Sequence, residues 1–146
     1  MATLIIDEAL FAEKWDGNPM IIMWVGINKK KNKTARNYIR RKLKVLFNEG
    51  MVRWNQEEQS LSLIETIKNP NSKDGRWEYI DQVKAVIYFV GAWDEEAGVG
   101  DSADLIIVDE VERIDKTHPE VIDDLMAIVN NEQARIIFIS TLNWKS

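Results

Sequence analysis

The run ADLIIVDEVERI (103–114) closes a stretch of branched apolar residues with two adjacent carboxylates, Asp109 and Glu110. Such a run reads as a buried strand, and open α/β sheets place their ligands at the carboxyl ends of strands. A carboxylate there can hold magnesium through water while its neighbour polarises an attacking water, the division of labour in nucleoside triphosphate hydrolysis. Asp109 is therefore the candidate metal contact and, with Glu110, the candidate catalytic pair. The plainer reading is a strand that simply ends in polar residues, and chance produces that pattern often enough to keep it open.

A strand ending in Asp-Glu is the shape of a Walker B motif, one half of an ATPase site. A second run, IIFISTLN (136–143), delivers Ser140, Thr141 and Asn143 to the end of another apolar strand. Beside the carboxylates, these groups could sense a γ-phosphate; alone, they are ordinary turn residues. The other half of an ATPase site is a phosphate loop, G-x-x-x-x-G-K-[ST], between a strand and a helix. None of the seven glycines fits it. The nearest approach is GINKKKNKT, Gly26 to Thr34, which ends in Lys33-Thr34 but is one residue too long and has Asn32 in place of the second glycine. A side chain there obstructs the close approach of backbone amides to phosphate.

Charge is unevenly distributed. The net charge is −5, yet nine of the 19 Lys and Arg residues fall in KKKNKTARNYIRRKLK (29–44), and twelve of the 24 acids lie between Asp94 and Asp124. The basic run is either a solvated helix face or a surface for nucleic-acid phosphates, with Lys29, Lys30, Lys31, Lys33, Arg36 and Arg40 as candidate contacts. No aromatic stacking platform is evident beside it, since Tyr38 falls on the apolar side and Trp24 in a strand. The lone histidine, His118, has no metal-ligand pattern around it, and most of the six tryptophans read as packing residues.

The elements that must position these residues are legible. With 146 residues the chain fits one domain, 1–146, and is long enough to bury roughly two-thirds of its unfolded surface. There is no cysteine, which excludes disulfides and Cys-based zinc sites and fits a reducing compartment. No apolar run is long enough to span a membrane, and the acidic start at Asp7 and Glu8 does not read as a signal peptide. Apolar periodicity predicts a helix over 2–15, stopped by the DGNP turn. It predicts a helix over 32–50, with Gly50 as C-cap and Arg36, Arg40, Arg41 and Lys44 on or near its outer face. A third helix is expected over 119–131, opened by a capping box of Thr117 and Glu120. Continuous apolar runs predict four fully buried strands at 20–27, 83–92, 104–110 and 134–140, and 51–67 reads as a hairpin around NQEEQ. The stretch 68–82 reads as a loop or insertion. The order implies an α/β fold: a mostly parallel sheet flanked by helices, with one antiparallel hairpin.

Taken in order, these parts resemble the ATPase domain of large terminase subunits, the motors that package DNA into the capsids of tailed phages. IIMWVGINKKKNKTARNYIRRKLKVLF is similar to that family's second strand and following helix, SLSLIETI and AVIYFVGA to the strands before Walker B, GVGDSADLIIVDEVERI to the Walker B segment, and IIFISTLN to its coupling motif. Helicase-like ATPases share the Asp-Glu box and a Ser/Thr-rich third motif, so they stand as an alternative parentage. The family's phosphate loop precedes the helix matched here by 2–15, so the resemblance implies an incomplete P-loop-type core without that loop or the nuclease domain. The genomic sequence ahead of Met1 is the direct test of that expectation.

The resemblance further implies that Asp109 coordinates magnesium, that Glu110 activates water, and that Ser140, Thr141 and Asn143 couple hydrolysis to movement. In the full-length family protein the cofactors are Mg2+ and ATP, the partners are DNA and other motor or capsid-portal subunits, and the setting is the cytoplasm of a bacterial host. For this chain alone no tight cofactor is expected, and a homo-oligomer through an exposed sheet edge is an open possibility. The competing expectation is a non-catalytic module that binds nucleic acid or another partner through residues 29–44.

Overall fold

A computed structural model of the protein describes residues 2–10, 18–69, 78–93, 103–128 and 134–140. Along the chain these form α1 (Ala2–Leu10), β1 (Met20–Gly26), α2 (Lys29–Lys42), α3 (Lys44–Asn48), β2 (Val52–Asn55), β3 (Ser60–Lys68), β4 (Tyr79–Gly91), β5 (Leu105–Val108), α4 (Val111–Thr117), α5 (Pro119–Ile128) and β6 (Arg135–Phe138). The strands make one sheet in the order β2-β3-β4-β1-β5-β6. β1 pairs in parallel with β4 and β5, and β5 in parallel with β6, while β2–β3 and β3–β4 are antiparallel. This is the expected α/β architecture.

Strand side chains alternate between faces, so a strand covered on both sides must be apolar throughout. β1 shows this directly. Met20, Ile22 and Trp24 join Leu105 and Ile107 under Ile5 and Ala9 of α1 and Ile39 of α2. Met23 and Val25 join Ile106 and Val108 under Ile114 of α4 and Val121 and Leu125 of α5. Each fully buried Ile or Leu contributes about 1.5–3 kcal/mol, which makes these two layers the main source of stability.

Several expectations need adjustment. The helix expected from 32 begins at Lys29, because Asn28 caps it: its side chain accepts from the Lys31 N–H at 2.9 Å. It breaks briefly at Leu43 before α3, and Gly50 takes the positive φ of 76° just beyond the end. The stretch expected to be a loop is narrower, since β3 runs to Lys68 and β4 starts at Tyr79; residues 70–77 lie outside the described ones.

The capping box does not form. Thr117 instead ends α4, an element that apolar periodicity does not announce, and donates its hydroxyl to the Arg113 carbonyl at 2.7 Å. β6 is not fully buried, because among the described residues it pairs only with β5 and stands at the sheet edge, with Phe138 43% exposed. A run of apolar residues cannot reveal that a strand lacks its outer neighbour.

Candidate active site

All four parallel strands end on one edge of the sheet, and backbone hydrogen bonds stitch that edge together. Asp109 N–H donates to the Val25 carbonyl at 2.8 Å, Ala92 N–H to Gly26 at 2.8 Å, and Trp93 N–H to Ile27 at 2.8 Å. On the other side, Ile139 N–H donates to Val108 at 2.8 Å and Val111 N–H to Ile139 at 3.1 Å. The carboxylates that follow β5 are thus flanked by the end of β1 and by the segment leaving β6. Ser140 lies on this edge, one residue beyond Ile139, and is exposed. Thr141 and Asn143 fall outside the described residues.

Asp109 is half-buried, and its Oδ1 accepts the Glu110 N–H at 3.0 Å. Burial is the main cause pushing its carboxyl above the usual range; the Glu110 and Glu112 charges add to it, and the backbone N–H partly opposes them. A carboxylate held in this state gains from a nearby cation. Glu110 occupies the left-handed region at φ 52°, ψ 46°, rare for a residue with a Cβ, and its side chain meets Arg113 at 3.4 Å. Arg113 in turn lies over the Trp93 ring at 5.8 Å, and the Trp93 indole N–H donates to Thr117 Oγ1 at 3.0 Å. Nothing in the sequence signals this Glu110–Arg113–Trp93 chain, because its members come from two strand ends and one short helix.

His118 is half-buried beside Trp93, with ring centroids 6.0 Å apart. No group of three His, Cys, Asp or Glu side chains able to hold a metal exists among the described residues. Asp109 fits magnesium only as a single contact, leaving most of an octahedral shell to water and phosphate oxygens.

The segment Gly26–Thr34 is a capped helix start rather than an open loop of amides. The carbonyls of Gly26 and Ile27 are turned into pairing with Ala92 and Trp93, and the Lys31 N–H is taken by Asn28. Asn32 is buried and donates Nδ2 to the Val90 carbonyl at 2.9 Å. Of the basic candidates, Lys29, Lys30, Lys31 and Lys33 are exposed on the first turns of α2, at the edge that carries Asp109. Arg36 is tied down: it donates to Gln59 Oε1 at 3.1 Å and lies over Trp54 at 5.1 Å. Arg40 is exposed and stacks over Phe47 at 5.3 Å.

An open α/β sheet with Asp-Glu at the carboxyl end of an inner strand has the ligand-site arrangement of open α/β folds. More closely, the fold is that of phage large-terminase ATPase domains. It superposes on the large terminase ATPase domain of Thermus phage P74-26 with a TM-score of 0.63, at 12% identity, over 98% of this chain and 55% of that one. The large terminase of a second thermophilic bacteriophage, in complex with ATP-gamma-S, gives a TM-score of 0.56 at 13% identity, over 95% of this chain and 28% of that one. The chain therefore spans about half the length of the first of these domains, and at such identities the likeness is one of fold. No protein-family model and no curated protein matches the sequence. No helix among the described residues is long and apolar enough to cross a membrane.

Proposed function

We propose that this chain supplies the magnesium- and water-binding half of a terminase-type ATPase that drives DNA packaging. The observation that carries the reading is the placement of Asp109 and Glu110 between two strand ends, with the segment after β6 bonded to Val111 at 3.1 Å. Asp109 would hold magnesium through water, and Glu110 would orient the attacking water. Bound ATP and Mg2+ supply the phosphoryl group and the counter-charge; this chain's residues orient water and disfavour an uncompensated negative charge. Ser140, Thr141 and Asn143 would report the state of the γ-phosphate to the sheet. Solved structures of the second phage's large terminase hold ADP and ATP-gamma-S, which supports a nucleotide as ligand.

The β1 side of the carboxylates is closed by the Ile27–Trp93 pairing and by Asn32, whereas β6 has an open outer edge among the described residues. A strand added there would bring backbone amides to the phosphates from the unobstructed side. DNA and other motor subunits are the partners this reading implies.

The test is a Mn2+ titration followed by amide NMR, with and without ATP. Paramagnetic broadening should centre on Asp109, Glu110 and Ser140 and vanish in Asp109→Asn. Broadening centred instead on the acids of α4 and α5 overturns the assignment.

A further inference from the structure

Arg41 and Lys44 play no part in the site above, yet with Arg40 they form an exposed cationic surface along α2 and α3. Thr34, Asn37, Arg40, Arg41, Lys44, Phe47 and Asn48 line one open hollow of about 710 Å³ along α2 and α3. The break at Leu43 does not divide it, because Leu43 N–H still reaches the Ile39 carbonyl at 3.0 Å and Phe47 N–H reaches Leu43 at 2.9 Å. Positions 34, 37, 41, 44 and 48 thus follow helical spacing on a single face, about 20 Å long at 1.5 Å per residue.

Three features suit this face to phosphates. No acid lines it, and among the described residues none of Arg40, Arg41 and Lys44 makes an ion pair. Arg40 is held over the Phe47 ring, which lowers the entropy lost when its guanidinium engages a phosphate. Thr34, Asn37 and Asn48 are exposed neutral hydrogen-bonding groups interspersed with the cations, the mixture that lines nucleic-acid backbones. The sheet also separates the charges: Glu112, Asp115, Glu120, Asp123 and Asp124 lie on α4 and α5, which pack on the opposite layer from α2. These five acids therefore lie across the sheet from a polyanion approaching the α2 side.

We infer that the Thr34–Asn48 face is a track for the phosphate backbone of duplex DNA, gripped by Arg40, Arg41 and Lys44. The choice of DNA as polyanion rests on the function proposed above; the location of the track rests on the face itself. It differs from the contact set that charge alone suggests, because Arg36 is committed to Trp54 and Gln59.

The experiment measures binding of the chain to fluorescent duplex DNA across salt concentrations, with single-stranded DNA and polyglutamate as competitors. Three phosphate contacts give a log–log salt slope of about −2.7. The paired substitutions Arg41→Glu and Lys44→Glu should weaken binding at least tenfold and remove most of that slope, with an unchanged circular dichroism spectrum. If the reversal perturbs the fold, Arg41→Gln with Lys44→Gln is read in its place. Replacing Lys29, Lys30 and Lys31 by Ala should leave most of the affinity. DNA binding that survives the Arg41/Lys44 changes but is lost with the three lysines overturns the track while leaving DNA as partner. Binding displaced equally by polyglutamate overturns DNA specificity, and no binding at low salt overturns both ideas, leaving the metal site to its own test.

Discussion

The side chain of Asn32 fills the space above Gly26: a Cβ built on that glycine would fall well inside van der Waals contact with Asn32 Oδ1. The same amide donates to the Val90 carbonyl at 2.9 Å. One buried polar side chain thus locks the end of β1 to the end of β4, in the segment whose sequence comes nearest to a phosphate loop. The glycine is required by a neighbouring residue of this chain, and the room a phosphate would need is taken.

This lock predicts non-additive substitutions. Gly26→Ala should cost about 1–3 kcal/mol through overpacking. Asn32→Ala should cost about 1–2 kcal/mol by removing a partner of the partly buried Val90 carbonyl. The double substitution should cost less than the sum by about 1 kcal/mol or more, because the methyl introduced at position 26 then enters the vacated space. Urea unfolding of the four proteins measures the cycle; additive costs would mean that the two residues do not touch.

Glu110 predicts an inverted substitution pattern. Its left-handed backbone at φ 52° costs roughly 1–2 kcal/mol for a residue with a Cβ. Glu110→Gly should leave stability unchanged or raise it by up to about 1 kcal/mol, despite losing the exposed contact to Arg113. Glu110→Val should lower it by about 1–2 kcal/mol, since a branched side chain tolerates this region least. Thermal melts of both variants provide the check, and equal losses would show that the turn relaxes without strain.

The reach of the sequence follows from what each signal encodes. Continuous apolar runs at 20–27, 83–92 and 104–110 announce strands covered on both faces, and β1, β4 and β5 sit in the sheet interior as that pattern requires. The run at 134–140 looks the same but forms an edge among the described residues, because hydrophobicity reports burial on two faces and says nothing of hydrogen bonding at the sides. Asp109 and Glu110 could be placed at a strand end from spacing alone. That Glu110 is strained, or that Arg113 rests on Trp93, depends on tertiary approach and leaves no local trace. Arg36 shows the limit of a helical count. Within a run of cations it looks like a free phosphate contact, but it points to the β2–β3 hairpin, where Trp54 and Gln59 were invisible to any helical count.

The raised carboxyl of Asp109 sets a pH dependence. Its folded form holds a proton to higher pH than the unfolded chain does, so ionisation penalises the fold. The penalty is absent below the ordinary carboxylate pKa, grows as pH rises toward the folded value, and is complete above it. Asp109→Asn keeps an oxygen for the Glu110 N–H and removes the charge. It should raise the melting temperature near neutral pH by roughly 1–3 °C, a shift kept small by partial solvent screening, and change nothing near pH 3. Mg2+ should stabilise the parent protein and not the variant. A variant destabilised equally at both pH values would mean that the Asp109 charge is welcome in the fold.

By itself this chain should neither bind Mg-ATP tightly nor turn it over. Phosphoryl transfer needs amides and a lysine around the β- and γ-phosphates, and a hydroxyl to help hold magnesium. Asp109 and Glu110 instead present like charge to a polyanionic nucleotide, and residues 94–124 add ten further acids against only Arg113 and Lys116. Among the described residues, Lys33 and Thr34 are the candidate source of rescue, but the Lys31 N–H ahead of them is capped by Asn28 and the space above Gly26 is held by Asn32. Calorimetric titration with Mg-ATP should therefore show no micromolar site, and phosphate release should stay at the rate of buffer. Tight binding abolished by Lys33→Ala, together with turnover abolished by Glu110→Gln, would place the phosphate cradle at Gly26–Thr34 and require the β1 edge to open.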